Sequence, residues 1–139
     1  MNALIICGFP GETEEEAAQT LEFAKKVGFL HIHAFPYSIR EGTVAAKMDN
    51  QLQNSVKAAR VRALGEINAQ SEAALLASMV GKKATVLIEG KPKTHKGQSY
   101  AFGFTENYAK VLLPKEYIAQ KGELVCVQLK EASAGFLFV

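Results

Sequence analysis

Two kinds of hydrophobic pattern divide this chain. Up to about residue 80 the apolar positions follow buried-strand and helical spacing; beyond Gly81 they alternate with a period of two. Ala3-Leu4-Ile5-Ile6-Cys7-Gly8 is a short continuous apolar run, which predicts a strand covered on both faces. Gly8-Phe9-Pro10-Gly11 turns the chain, and Thr13 with Glu16 three residues on is the signature of a capped helix start. Ala17, Leu21, Ala24 and Val27 then recur at helical spacing up to Gly28, a natural helix stop. Phe29 to Phe35 reads as a second strand, so the opening segment predicts a βαβ unit.

Pro36 to Met48 is rich in turn formers. Leu52 to Val80 predicts a long helix, with Leu52, Val56, Ala59, Ala63, Ile67 and Ala74 on one stripe and Gly65 a weak point within it. Five short β segments follow: Thr85–Ile88, Tyr100–Phe104, Tyr108–Leu113, Leu124–Leu129 and Phe136–Val139. Their spacing and polar turns predict a small barrel of the OB type, closed or partly closed. The expected class is α+β, divided into a βαβ part with its loop (1–50), a linker helix (51–80) and a barrel (81–139). One βαβ unit cannot bury both faces of two strands, so this part is expected to be either a fragment or an element that packs into another chain.

Composition adds one asymmetry. The net charge is only +2, yet residues 1–77 carry seven Lys/Arg against nine Asp/Glu, and residues 78–139 carry nine Lys against five Glu. A basic second half suits a polyanionic partner. No apolar run approaches membrane-spanning length, and the first residues have no basic flank before their apolar stretch. A cytoplasmic location with no membrane partner is therefore expected. The two cysteines, Cys7 and Cys126, read as free thiols in a reducing compartment; an iron–sulfur cluster needs three or four ligands.

Three motifs occur in an order that resembles the radical-SAM methylthiotransferases. Ile5-Ile6-Cys7-Gly8-Phe9-Pro10-Gly11-Glu12-Thr13 resembles their late-barrel signature. His33-Ala34-Phe35-Pro36-Tyr37-Ser38-Ile39-Arg40-Glu41-Gly42-Thr43-Val44-Ala45-Ala46 resembles the next loop, departing at Ile39, Glu41 and Val44, where many relatives have proline. Gly103-Phe104-Thr105-Glu106-Asn107-Tyr108 resembles the TRAM domain that closes these proteins. The wording of His31 to Ser38 is most similar to the branch that methylthiolates threonylcarbamoyladenosine beside the tRNA anticodon.

The resemblance implies S-adenosylmethionine and iron–sulfur clusters as cofactors of the full-length proteins, with tRNA as partner. It implies that residues 1–50 end a radical-SAM partial barrel, and that the CxxxCxxC cluster motif lies outside this sequence, which is expected to be inactive alone. Ile6, Gly8, Glu12, Tyr37, Ser38 and Arg40 would line the S-adenosylmethionine pocket. In the barrel, Lys82, Lys83, Lys91, Lys93 and Lys96 would meet phosphates, with Tyr100, Asn107, Tyr108 and Lys110 on the same RNA-binding surface.

Other readings stay open. The Gly8–Thr13 turn could be an ordinary strand-to-helix turn, and Arg40 could pair with Glu41 or Glu12. Phe102 and Phe104 could be core. His31 and His33 are expected on one strand face with Phe29 and Phe35, lacking a third ligand for a metal. The functional alternative is a stand-alone RNA-binding module without catalysis.

Overall fold

A computed structural model describes residues 1–139. The chain forms two compact units, 1–72 and 73–139. In the first, strands β1 (Asn2–Cys7) and β2 (His31–Pro36) pair in parallel, joined by helix α1 (Glu14–Val27). Thr13 and Glu16 form the predicted capping box: the Glu16 amide donates to Thr13 Oγ1 at 3.1 Å, and the Thr13 amide donates to Glu16 Oε2 at 2.9 Å. Gly28 ends the helix at φ 66°, its N–H donating to the Ala24 carbonyl.

Only one face of the β1–β2 pair is covered. Cys7, Ala24, Leu64 and Ile67 form the buried core, flanked by Ile5, Leu21, Ile32, Ala34 and Val61. Register places Leu4 beside His33 and Ile6 beside Phe35 on the other face. There Leu4, Ile6 and Phe35 are 69%, 54% and 51% exposed. The physical limit of a lone βαβ unit is thus visible in the side chains. Phe29 lies ahead of β2 rather than on the His31–His33–Phe35 face; it is buried, its ring 6.1 Å from that of Phe23.

Helix α2 runs from Asn54 to Met79, and the boundary between the units falls within it. Its buried stripe differs from the predicted one. Lys57, Leu64 and Ile67 face inward with Val61, whereas Ala59 and Ala74 are exposed. Alanine and leucine count equally in a periodicity pattern, but burying the larger side chain removes more apolar area from water, and that difference sets the rotation. Two cations, Lys57 and Arg60, consequently lie on or beside the inner stripe.

The second unit is a curled sheet with the strand order β7-β3-β5-β6-β9-β8, and β4 added beside β5. The strands are β3 (Lys83–Ile88), β4 (Lys93–His95), β5 (Gln98–Thr105), β6 (Lys110–Leu113), β7 (Leu124–Gln128), β8 (Glu131–Ser133) and β9 (Phe136–Phe138). The five predicted strands correspond to β3, β5, β6, β7 and β9. The other two, β4 and β8, are three residues each and carry no apolar alternation: Lys93-Thr94-His95 and Glu131-Ala132-Ser133. The hydrogen-bonded path ends at β7 and β8, so it does not close on itself. Val86, Ile88, Val111, Leu113, Val127, Leu129 and Leu137 fill its core. No helix of the chain is long and apolar enough to cross a membrane.

Candidate functional site

At the C-terminal ends of β1 and β2, two loops are tied together. Gly8 follows β1 at φ 76°, a conformation glycine adopts without strain, and its amide donates to Glu12 Oε1 at 3.1 Å. A Cβ at Gly8 would lie 2.4 Å from Lys57 Cγ, so any side chain at this position would force Lys57 to shift. The Tyr37 amide donates to the Cys7 carbonyl at 2.8 Å, bringing the second loop beside the first, and the rings of Phe9 and Tyr37 meet edge to face at 5.4 Å.

Lys57 and Arg60 complete the tie. Lys57 is 4% exposed; its Nζ donates to the Tyr37 carbonyl at 3.2 Å and lies 5.1 Å from the Tyr37 ring centroid. Arg60 pairs with Glu12 through Nη1, which also donates to the Glu12 carbonyl at 3.2 Å, and Nη2 donates to Glu14 Oε1 at 2.8 Å. Burial opposes the guanidinium charge, but the hydrogen bonds to Glu14 and Glu12 outweigh it and hold the group above its usual range. Sequence reading missed both cations. Their spacing of three, in phase with Leu64 and Ile67, was the available signal.

The predicted pocket residues separate into two sets. Gly8, Glu12 and Tyr37 belong to this tie: Glu12 is committed to Arg60 and the Gly8 amide, not to Arg40. Ile6, Ser38 and Arg40 are exposed. The Arg40 carbonyl accepts from Thr43 Oγ1 at 2.7 Å. The Tyr37 hydroxyl is buried without a hydrogen-bond partner, a polar atom that a ligand or water could satisfy. A hollow of about 340 Å³ opens beside it, lined by Tyr37, Ser38, Ile39 and Lys57 among others. Cys7 is buried, and burial first, then the Glu12 charge, raises its thiol above the usual range against a smaller opposing effect of Arg60. No group of three or more His, Cys, Asp or Glu side chains is arranged to hold a metal ion; His31 Nδ1 instead lies 4.0 Å from Glu72.

In the second unit, strand alternation gathers rings on one face of the sheet. The rings of Tyr100, Phe138, His95, Phe136, Phe102, Phe104 and Tyr108 follow one another with centroid separations from 4.9 to 6.5 Å. Phe102 is buried, Phe104 half-buried and Tyr108 exposed, so the row grades from core into surface. Lys93 Nζ lies 4.9 Å over the Phe102 ring and Lys110 Nζ 6.0 Å from that of Phe136. Lys82, Lys83, Lys91 and Lys96 are exposed.

Asn107 shapes the turn after β5. Thr105 Oγ1 donates to Asn107 Oδ1 and accepts the Ala109 amide at 3.0 Å, while Asn107 Nδ2 contacts Met79 Sδ at 3.8 Å. Tyr108 follows at φ 64°, projecting its ring toward Phe104. The Gly103–Tyr108 motif therefore builds a turn that presents an aromatic side chain.

No protein-family model matches the chain. Among curated proteins it is 37% identical over 138 residues to tRNA-2-methylthio-N(6)-dimethylallyladenosine synthase of Fusobacterium nucleatum, which covers 99% of this chain and 31% of the relative. Threonylcarbamoyladenosine tRNA methylthiotransferase MtaB of Bacillus subtilis is 35% identical over 92% of this chain and 28% of its own length. Ribosomal protein uS12 methylthiotransferase RimO of Lachnoclostridium phytofermentans is 46% identical over 63% of the chain and 20% of its own. The chain belongs to the methylthiotransferase family, as a C-terminal part of its members. It spans about three tenths of the length of the first of these relatives.

Proposed function

We propose that this chain supplies the tRNA-holding part of a tRNA methylthiotransferase, together with one side of its S-adenosylmethionine pocket. In that reading residues 1–50 end a radical-SAM barrel, 51–80 form a linker helix, and 81–139 form the TRAM domain. The supporting observation is the aromatic row of the second unit with Lys93 and Lys110 over its rings. Rings on a sheet face stack unpaired bases, and lysines supply salt-sensitive attraction to phosphates. Lys82, Lys83, Lys91 and Lys96 would extend the phosphate-facing surface, with Tyr100, Asn107 and Tyr108 on or beside the base-facing one. tRNA as partner is consistent with a cytoplasmic location.

At the first site, the residues present fit one edge of a nucleoside pocket. The exposed Ile6 side chain offers an apolar surface for an adenine, and the buried Tyr37 hydroxyl lacks a partner. Ser38 and Arg40 would meet the polar end of S-adenosylmethionine. Glu12 acts through position, because its carboxylate is held by Arg60. S-adenosylmethionine, when bound in a radical-SAM enzyme, supplies the radical chemistry. The donor set here does not fit an iron–sulfur cluster, since Cys7 is buried, Cys126 exposed, and no third ligand joins either.

The proposed modification is a methylthio group on threonylcarbamoyladenosine beside the anticodon, supported by the wording of His31 to Ser38. The curated relatives also include enzymes named for dimethylallyladenosine and for a ribosomal protein. Binding of the chain to anticodon stem–loops bearing each modified adenosine, and to the ribosomal protein, separates the three. With tRNA, log affinity should fall linearly with log salt, and replacing Lys82, Lys83 and Lys93 by Ala should flatten the slope by about 2. An unchanged slope places the RNA face elsewhere; failure to bind RNA at any salt overturns the reading. RNA binding that leaves S-adenosylmethionine unbound in equilibrium dialysis favours the non-catalytic module.

A further inference from the structure

We propose that the hollow below the β3–β4 connection is a subsite for one unpaired nucleotide, and that Glu89 makes it selective for bases carrying an amino group. The inference rests on the RNA-binding reading and deepens it. Glu89, Lys91, Lys93, Phe102, Phe104 and Lys121 line this hollow of about 610 Å³, a volume in the range of small-molecule sites. Three lysines and one carboxylate thus share this lining.

None of the three lysines is committed to an ion pair. Lys93 lies over the Phe102 ring instead. Lys121 comes from the segment before β7 and crosses directly over Gly90, where any Cβ would stand 2.4 Å from its Cε. Phe104 supplies a half-buried ring, supported edge to face by Phe102 at 4.9 Å. The Glu89 amide donates to the Phe102 carbonyl at 2.7 Å, which fixes the backbone of residue 89 beside β5, and its exposed side chain lines the hollow.

These groups match the parts of a nucleotide. A base stacks on Phe104, its phosphates meet Lys91, Lys93 and Lys121, and an exocyclic amino group donates to Glu89. Uracil carries a carbonyl oxygen, an acceptor facing an acceptor, where adenine and cytosine carry the amino group, and its N3–H is the one donor it can offer the carboxylate. The hollow therefore discriminates by repulsion as well as by bonding.

Fluorescence anisotropy with the full chain and labelled hexamers of adenylate and of uridylate tests this. The adenylate hexamer should bind about fivefold more tightly, and Glu89→Ala should erase that preference by strengthening uridylate binding. Phe104→Leu should weaken adenylate binding about tenfold and abolish quenching of a 2-aminopurine placed in the hexamer. Lys121→Ala should lower the salt slope by about 0.7, whereas Lys26→Ala on α1 should leave it unchanged. If wild type binds RNA with its salt slope and these three variants behave like it, the subsite is wrong and the broader RNA reading survives. If wild type binds no RNA, both fall. Oligo-glutamate binding as tightly as RNA would show attraction by charge alone and overturn the nucleotide assignment.

Discussion

Arg60 on α2 grips Glu12 in the loop after β1, a residue 48 positions earlier in the chain. The same carboxylate accepts the Gly8 amide, so one guanidinium fixes the first loop from behind. Three residues earlier on the helix, Lys57 fixes the second loop through the Tyr37 carbonyl. Both loops of the proposed pocket thus take their geometry from a helix that contributes no residue to the motifs.

Replacing Arg60 by Ala would leave Glu12 half-buried without its cation, at a cost of about 2 kcal/mol of stability. Glu14→Gln should change stability by less than about 1 kcal/mol, because the Glu14 side chain is 88% exposed and water replaces the bond. Urea unfolding followed by circular dichroism compares the two. Equal effects would mean that Glu12 is not the important partner.

Gly8→Ala carries two separable penalties: strain at φ 76° and the overlap with Lys57. The first should cost about 1 kcal/mol and survive any change elsewhere. The second should disappear in a Lys57→Ala background. A double-mutant cycle by denaturation measures the coupling, and strict additivity would show that Lys57 moves aside freely.

Gly103→Ala should be more damaging, by about 2–4 kcal/mol. Its Cβ would stand 2.4 Å from the Leu87 carbonyl oxygen and 2.5 Å from Val86 Cγ1, across a strand pair that cannot separate without losing its ladder. Loss of amide-exchange protection should concentrate in β3 and β5. Protection spread evenly over the chain, with wild-type stability, would contradict the tight approach.

The two thiols should differ in reactivity. Cys126 is exposed and should alkylate readily, while Cys7 should resist in the folded chain. The Cys7 pKa is raised by burial, so folding favours the neutral thiol and that contribution is complete below the unfolded thiol pKa. It is lost as pH rises through the folded value. Stability measured from pH 7 into the alkaline range should therefore fall in wild type more than in Cys7→Ala, after correction for the other titrating groups.

The amino-acid sequence by itself determined the βαβ order, the capping box at Thr13 and Glu16, and five strands of the second unit, β3, β5, β6, β7 and β9. Each depends on neighbours within a few residues, through hydrogen bonds at a helix start or alternation along a strand. It also determined the family, because three motifs survive in order. Only the tertiary structure decided which side of α2 faces inward, since the alanine-rich stripe read from the sequence offers less area to bury than the side carrying Val61, Leu64 and Ile67. That rotation brings Lys57 and Arg60 to the loops. Tertiary structure likewise joined Lys121 to Glu89 and the rings across Gly90. Such a juxtaposition depends on pairing between distant strands, which a local pattern does not record.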